Sequence, residues 1–165
     1  MKETKKNLER LRVLGADEKR KIEKQLQSQF GIKEIPGKLI MIGGEKLFVF
    51  LGDLDLEVLK KLDALGLIDK AGVYFAKILE NEEEIRLTIE GCWLLKNQIT
   101  KNIFEIPDEQ MENWMKGQDL LIQTGKKGYI AIKYHSDILG CGKASQEKIG
   151  NFTPKSRRLK ERTVF

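Results

Sequence analysis

The chain has 165 residues, 41% hydrophobic and 33% charged, with a net charge of +5. This length suits one domain or two small domains sharing an interface, and no apolar run approaches the ~20 residues needed to cross a bilayer. The start of the chain is polar and lacks an apolar signal core, and the two cysteines have no CxxC spacing. These features predict a protein of the reducing cytoplasm without membrane contact.

The positive charge is concentrated at the two ends of the chain. Residues 126–162 hold ten Lys/Arg and three Asp/Glu, and residues 1–28 hold nine and five. Residues 29–125 hold eleven basic and seventeen acidic residues, so the middle is net negative. A basic segment that also alternates like β-strands favours a nucleic-acid-binding face over a merely solvated surface.

The first eighty residues predict a small α/β layer that begins with a helix and a hairpin. Apolar residues recur on one face of residues 17–30, and Gly31 is expected to end that helix. Residues 39–42 and 47–51 flank a Gly-Gly pair and predict a β-hairpin. Both faces of this hairpin are apolar, so we expect helices to cover it.

A second helix is expected to begin at Asp53 or Asp55, which are typical N-cap residues, and to end at Gly66. Acids at this place are more often helix-start residues than metal ligands. The predicted apolar stripe of this helix consists of four leucines: Leu56, Leu59, Leu62 and Leu65. Residues 73–79 predict a third strand.

The second half of the chain has a different pattern. After a predicted turn at residues 81–84, residues 88–96 predict a short helix, although they include a glycine. From residue 102, short strands with glycine turns at intervals of about ten residues are typical of a small barrel. The elements predicted here are strands at 103–106, 119–122 and 129–134, and a helix that opens at Pro107.

Catalytic and metal-binding patterns find little support, and no cofactor is expected. His135 is the only histidine, which excludes a histidine metal cluster. Cys92 lies in an apolar run typical of a buried structural thiol, whereas cations near Cys141 could lower its pKa. The Gly-Cys-Gly-Lys run at residues 140–143 matches neither a P-loop nor a dinucleotide fingerprint, so it predicts a tight strand connection.

Basic, aromatic and glycine residues near the end of the chain have the chemistry of a nucleic-acid contact. Arginine and lysine bind phosphate, and glycine lets a phosphate or base approach the backbone. Alternation places Tyr129 and Lys133 on one strand face and Tyr134 in the core, so Tyr129 is expected to stack on a base, while Phe152 fits either role. The predicted contacts are Lys126, Lys127, Tyr129, Lys133, Gly140, Gly142, Lys143, Lys148, Asn151, Lys155, Arg157 and Arg158.

Several motifs, taken together, resemble a PUA-type RNA-binding domain. They are Gly117-Gln118-Asp119, Gly128-Tyr129, Lys133-Tyr134, residues 139–143 (LGCGK) and residues 151–158 (NFTPKSRR). Their order and spacing are similar to the PUA domain behind the catalytic domain in some Sun-type (Nol/Nop/Sun) RNA cytosine-5 methyltransferases. Residues 11–14, 29–32 and 71–75 resemble the small α/β module that precedes that PUA domain.

The resemblance implies an α+β fold, with a small N-terminal α/β (pre-PUA) module at residues 1–92 and a PUA-like β-barrel at residues 93–165. RNA would lie against the face that carries residues 140–143 and the basic segment after Pro154. The likeness extends to small archaeal proteins labelled as ribosome-biogenesis factors. The S-adenosylmethionine-binding glycine-rich loop and the paired catalytic cysteines of the methyltransferases are missing from the sequence, so methyl transfer is not implied.

The resulting hypothesis is a non-catalytic protein that binds structured rRNA or tRNA and acts in ribosome biogenesis or RNA modification. The alternative is a protein–protein adaptor that docks on an RNA methyltransferase or a pre-ribosomal particle, through the acidic middle and the helix with Trp114. An enzyme with an unrecognised site is a third hypothesis. For the basic segment after Pro154, the alternative to an RNA contact is a disordered tail.

Overall fold

The computed structural model describes residues 10–79 and 83–161. The first part contains β1 (Leu11–Val13), α1 (Ala16–Phe30), β2 (Lys38–Ile42), β3 (Lys46–Phe50), α2 (Leu56–Ala64), β4 (Val73–Ile78), β5 (Ile85–Leu87) and α3 (Ile89–Leu94). The second part contains β6 (Ile103–Glu105), α4 (Asp108–Met115), β7 (Gly128–Tyr134), β8 (Asp137–Ala144) and β9 (Ile149–Asn151). Short 3-10 turns lie at Lys96–Gln98 and Lys155–Arg157. Among the helices of this described part, none has the length and apolarity to span a bilayer.

The first sheet is an antiparallel meander of five strands in the order β1-β2-β3-β4-β5. The predicted hairpin is confirmed: β2 pairs with β3, and the turn contains Gly43 and Gly44 with φ of 66° and 78°. On one sheet face, Leu47 and Val49 belong to a core cluster that includes residues of α1 and α3. On the other face, Phe48 packs in a cluster with α2, so helices do cover both faces of the hairpin.

Helix α1 follows the prediction closely. It begins at Ala16, one residue before the predicted start, and its buried residues are Ile22, Leu26 and Phe30. Gly31 ends the helix with φ of 83°, and its N–H donates to the carbonyl of Gln27 at 3.0 Å. The apolar spacing therefore identified both the helix and the face that it buries.

Helix α2 agrees with the prediction in its start but not in its apolar stripe. Asp55 is the N-cap, and its carboxylate accepts a hydrogen bond from the Glu57 N–H at 2.8 Å. Of the predicted leucine stripe, only Leu59 is buried, and Leu65 is 71% exposed. The helix ends at Ala64, before Leu65, so the last leucine falls outside the turn that packs on the sheet.

The second sheet has four strands in the order β6-β7-β8-β9, and β6 runs parallel to β7. The α+β fold class is confirmed, but the described residues form two sheets and no closed barrel. The predicted strand at residues 119–122 contributes one isolated bridge, between Leu120 and Ile149. Leu120 is buried, whereas Leu121 is 83% exposed, so Leu120 alone anchors residues 119–122 to the core. Among the described residues, this segment therefore does not add a fifth strand that would close the sheet.

The predicted tight connection at residues 140–143 lies instead within β8. Strands β7 and β8 pair from Gly128 opposite Ala144 to Tyr134 opposite Asp137. The chain reverses direction just before β8, at His135, which has φ of 51°. The glycine run is therefore paired strand backbone, and no phosphate-binding loop forms there.

Helix α3 joins the two sheets through a shared core. Its N-cap is Thr88, whose hydroxyl accepts a hydrogen bond from the Gly91 N–H at 2.9 Å. One core cluster includes residues of β4, α3, β7 and β8, among them Phe75 and Cys141. The predicted division after residue 92 falls inside α3 and stays a prediction, and residues 81–82 of the predicted turn lie outside the described residues.

Replacing Gly91 with alanine is expected to lower the free energy of unfolding by about 2 kcal/mol or more. A Cβ at this position would overlap the Phe75 carbonyl oxygen, so α3 would have to move off β4. Urea denaturation followed by circular dichroism measures the change. Gly150→Ala is the control, because Gly150 has no positive φ and the nearest atom to an added Cβ there is the Lys143 carbonyl oxygen at 3.7 Å. Equal stability of the Gly91→Ala variant and the wild type would contradict the close contact.

Candidate nucleic-acid interface

A groove on the second sheet brings three of the predicted cations together. Lys126, Lys127 and Lys143 line it, together with Glu83 and Glu84 from the segment that precedes β5. The groove has a volume of about 800 Å³. Among residues 10–79 and 83–161, none of these three lysines has an ion-pair partner. We call this surface the lysine groove.

A row of cations and aromatic rings leads from the lysine groove to the first sheet. The Lys143 Nζ lies 5.3 Å from the centroid of the Tyr129 ring, and the Tyr129 and Phe152 centroids are 5.8 Å apart. The Arg86 Cζ lies 4.6 Å from the centroid of Phe152. Both cation–ring distances are within the range of cation–π attraction. This cation–aromatic row, Lys143-Tyr129-Phe152-Arg86, connects β8 with β5.

Arg86 is a candidate residue that the sequence prediction missed. It lies in β5 between the buried residues Ile85 and Leu87, and it has no ion-pair partner in the described part of the chain. Burial raises the pKa of the nearby Tyr74 hydroxyl, and the Arg86 guanidinium opposes that shift. The alternation of Ile85, Arg86 and Leu87 was the available signal, since it turns the arginine away from the core.

Tyr129 is buried, which contradicts its predicted role as a base-stacking residue. The strand alternation was right about its face, but that face packs in the core shared with the first sheet, and Tyr129 is 4% exposed. Burial raises the pKa of the Tyr129 hydroxyl. Tyr134 packs against the core cluster of the opposite face, as predicted. Phe152 is 40% exposed and is therefore the accessible aromatic ring of the cation–aromatic row.

The two glycines of β8 have different surroundings. A Cβ at Gly142 would lie 2.6 Å from Ile149 Cγ2 and 2.9 Å from Trp114 Cη2, so this glycine makes room for core side chains. The prediction that a phosphate or base approaches the backbone at Gly142 is therefore wrong. Gly140 has φ of 148°, and the nearest atom to a Cβ there is Ile89 Cγ1 at 3.6 Å. Gly140 lines a small pocket between the two sheets.

Asp119 binds two other predicted contact residues, Lys148 and Asn151, at the protein surface. Its carboxylate accepts hydrogen bonds from Lys148 Nζ at 2.7 Å and from the Asn151 N–H at 2.9 Å. The hydrogen bond from Lys148, followed by that from Asn151, lowers the pKa of the Asp119 carboxyl. The Asn151 side-chain amide donates to the Trp114 carbonyl at 2.9 Å and accepts from the Thr153 N–H at 2.8 Å. Asn151 therefore holds α4 and the segment after β9 together.

The basic segment after Pro154 packs against the protein as far as residue 159. Arg157 pairs with Glu90, and the Arg158 Nε donates to the Thr153 carbonyl at 3.0 Å. The Leu159 N–H donates to the carbonyl of Met115 in α4 at 2.8 Å. These contacts contradict the disordered-tail interpretation for this part of the segment.

The predicted cations thus divide into two groups by their partners. Three have a carboxylate partner: Lys133 with Glu105 at 3.9 Å, Lys148 with Asp119 at 2.7 Å, and Arg157 with Glu90. Five have no ion-pair partner among the described residues: Lys126, Lys127, Lys143, Lys155 and Arg158. Phosphate meets less competition at the second group, because no carboxylate has to be displaced.

The thiols lie in the core shared by the two sheets. Cys92 is fully buried, as predicted, and burial raises its pKa well above the usual value. Burial also raises the pKa of Cys141 to about 12, which outweighs the lowering effect of the Arg86 guanidinium, so the net shift is opposite to the one suggested. His135 is exposed, with Nε2 3.6 Å from Asp108. In the part of the chain that the structure describes, no group of three potential metal ligands occurs.

A comparison with known protein families finds a match to the segment that contains the second sheet. Residues 101–159 match the family model described as the methyltransferase RsmF PUA domain. This segment is similar to a PUA domain. The match contains α4, all four strands of the second sheet and the basic segment, and it confirms the resemblance to the C-terminal part of Sun-type methyltransferases. A PUA domain is an RNA-binding domain and not a catalytic one, which supports RNA as a partner. A search of curated proteins gives no match.

Asp119→Asn is expected to change the pH dependence of stability. Because the folded-state pKa of Asp119 lies below the ordinary value of 3.8, its stabilising effect is present above that value and is lost as the pH falls through the folded-state pKa. The variant should therefore be less stable than the wild type at pH near 7, and the difference should shrink below about pH 4. Urea denaturation across this pH range measures the difference.

Asp137→Asn is the control for this experiment, because Asp137 is exposed and has no ion-pair partner among the described residues. It should follow the wild type at every pH. A constant difference between Asp119→Asn and the wild type down to pH 3 would show that the ionised carboxylate does not stabilise the fold.

Proposed function

We propose that this protein is a non-catalytic RNA-binding protein that recognises structured rRNA or tRNA and acts in ribosome biogenesis or RNA modification in the cytoplasm. The match of residues 101–159 to a PUA domain supports RNA binding. The observation that carries the proposal is the lysine groove, where three lysines without acid partners in the described structure line one surface of that domain. The choice of rRNA or tRNA rests on the resemblance to domains of RNA methyltransferases.

In this proposal, the lysine groove holds the phosphate backbone. Lys126 and Lys127 come from the loop before β7, and Lys143 comes from β8, so three cations from two segments converge. Lys155 and Arg158, in the segment after Pro154, are two further predicted cations without an ion-pair partner among the described residues. Such contacts position the RNA without reading its sequence.

Two carboxylates, Glu83 and Glu84, line the groove together with the lysines. The Glu84 carboxylate lies against the start of β7, since a Cβ at Gly128 would overlap its Oε1. A phosphate is attracted by the lysines and repelled by the Glu84 carboxylate, so we expect the RNA backbone to lie on the side of the lysines away from Glu84.

Charge removal in the groove tests the proposal. If about five phosphates are neutralised, the logarithm of the association constant should fall with the logarithm of salt concentration at a slope near −3.5 to −4.5. Replacing Lys126, Lys127 and Lys143 with glutamine should make that slope shallower by about 2 to 2.7. Fluorescence anisotropy with labelled tRNA and an rRNA hairpin, between about 50 and 200 mM KCl, measures the slope.

A variant of equal charge serves as the control. Glutamines at Lys60, Lys61 and Lys70 remove the same number of exposed lysines from α2 and the loop after it, outside the matched domain. This variant should retain the wild-type slope. Equal effects of the two triple variants would show that net charge, rather than the lysine groove, determines binding.

Crosslinking in cells, followed by sequencing of the bound RNA, tests the proposed class of RNA. We expect reads concentrated on particular helices of rRNA or tRNA, and the lysine-groove variant should reduce them. Reads no better than background in the wild type would contradict an RNA-binding role.

One observation favours the alternative function as an adaptor on an RNA methyltransferase or a pre-ribosomal particle. Five large apolar side chains in and around α2 are exposed: Leu51, Leu54, Val58, Leu65 and Leu67. Trp114, which was predicted to contact the partner protein, is only 1% exposed and cannot form that contact. A pulldown from native lysate that survives nuclease treatment, and that Leu65→Glu with Leu67→Glu abolishes, would favour the adaptor function.

A further inference from the structure

A small pocket lies where the two sheets meet. Its wall is built from β5, the start of α3, β8 and the segment after β9, and its volume is about 110 Å³. We call it the seam pocket. The lining residues that matter here are Arg86, Ile89, Glu90, Gly140, Phe152 and Pro154. Because these residues come from both sheets, the pocket exists only in the assembled fold.

The seam pocket combines a cation with an accessible aromatic ring. Arg86 lies over Phe152, whose ring is 40% exposed. Bases of single-stranded RNA are commonly held by stacking on aromatic rings or arginine planes, while guanidinium groups also bind phosphate. This pair of side chains can therefore bind both parts of an unpaired nucleotide: the base by stacking and the phosphate by charge.

The other polar groups at the pocket do not cancel the charge of Arg86. Glu90 is the carboxylate on the wall, and Arg157 pairs with it. The Thr88 hydroxyl is engaged, since it donates to the Tyr74 carbonyl at 2.7 Å and accepts from the Gly91 N–H. Cys141 on the wall is a neutral thiol at ordinary pH, because burial raises its pKa to about 12. The free charge at the pocket is thus positive, which suits an anionic polymer.

The size of the pocket limits the kind of base. An apolar cavity of about 150 Å³ is known to hold one benzene ring. At about 110 Å³, the seam pocket holds part of one six-membered ring, and a purine, with its second fused ring, would leave more of its surface outside the pocket than a pyrimidine.

The cation–aromatic row shows that the lysine groove and the pocket are close together, because Lys143 and Phe152 both contact the buried Tyr129 ring. Lys143 belongs to both the lysine groove and the row, and Phe152 belongs to both the row and the seam pocket. We propose that the seam pocket binds one unpaired pyrimidine base of an RNA strand whose phosphates lie along the lysine groove. This inference rests on the proposed RNA-binding function and adds the class of nucleotide that the protein recognises.

Anisotropy titrations with labelled oligouridylate and oligoadenylate of equal length test the inference. We expect the wild type to bind oligouridylate about fivefold more tightly. Arg86→Gln and Phe152→Leu should each weaken oligouridylate binding about tenfold, the size of effect typical of losing one stacked base. Ile89→Phe, which fills the pocket but leaves Arg86 in place, should abolish the preference for oligouridylate.

Controls separate this inference from the proposed function. Arg20→Gln removes an arginine from the exposed surface of α1 and should bind like the wild type. The lysine-groove variant should weaken both RNAs by the same factor. Circular dichroism melting shows whether each variant is folded. Oligoadenylate stacks on itself, so the two RNAs also differ before they bind. The test of the inference is therefore whether Ile89→Phe has a smaller preference for oligouridylate over oligoadenylate than the wild type has.

Two outcomes would overturn the inference in different ways. If the lysine-groove variant weakens both RNAs while Arg86→Gln, Phe152→Leu and Ile89→Phe leave the preference unchanged, the seam pocket binds no base and the proposed function stands. If the folded wild type binds neither oligonucleotide nor structured tRNA or rRNA, both proposals fail.

Discussion

The close contact between α3 and β4 is the constraint on which the rest of the structure depends. Gly91 has no side chain, so the helix backbone reaches the carbonyl of Phe75, and the core cluster continues from there into β7 and β8. This shared core fixes the first sheet beside the second. Arg86 in β5 can contact Phe152 beyond β9 only because the two sheets are held in this way. The candidate RNA surface is therefore a product of packing between the sheets and not of the matched PUA segment alone.

Ion pairing decides which cations of the basic segment are available. Asp119, Glu105 and Glu90 each engage one predicted cation, whereas the lysines of the groove have no such partner among the described residues. A carboxylate that already pairs with a cation competes with phosphate for that cation. Lysines and arginines that carry the same charge in the sequence therefore differ in how readily they can bind phosphate in the fold. The net charge of the segment predicts the class of partner, and the distribution of carboxylates supports the proposed place of binding.

The residues that make the PUA motif recognisable mostly hold the domain together. Gly142 leaves space for Trp114, and Asn151 binds the backbone of α4 and of the segment after β9. Gly117 accommodates the Arg158 side chain, which a Cβ at that glycine would overlap. Motif positions of this kind identify the domain, because the same packing needs the same residues, but they do not by themselves mark the ligand contacts. The lysine groove and Phe152 are better candidates because they remain accessible.

The sequence by itself determined the local elements and the class of partner. Apolar spacing gave α1 with its buried face, the Gly-Gly hairpin and the two faces of β7, and the basic segment with its motifs gave an RNA-binding domain. Only the tertiary structure decided what covers each face. Alternation showed which way Tyr129 points but not that another sheet lies there, and the cations near Cys141 suggested a low pKa that burial reverses. Arg86 was missed for the same reason, since its partner Phe152 is distant in sequence. Periodicity is a property of neighbouring residues, whereas burial and long-range contacts depend on how separate elements pack.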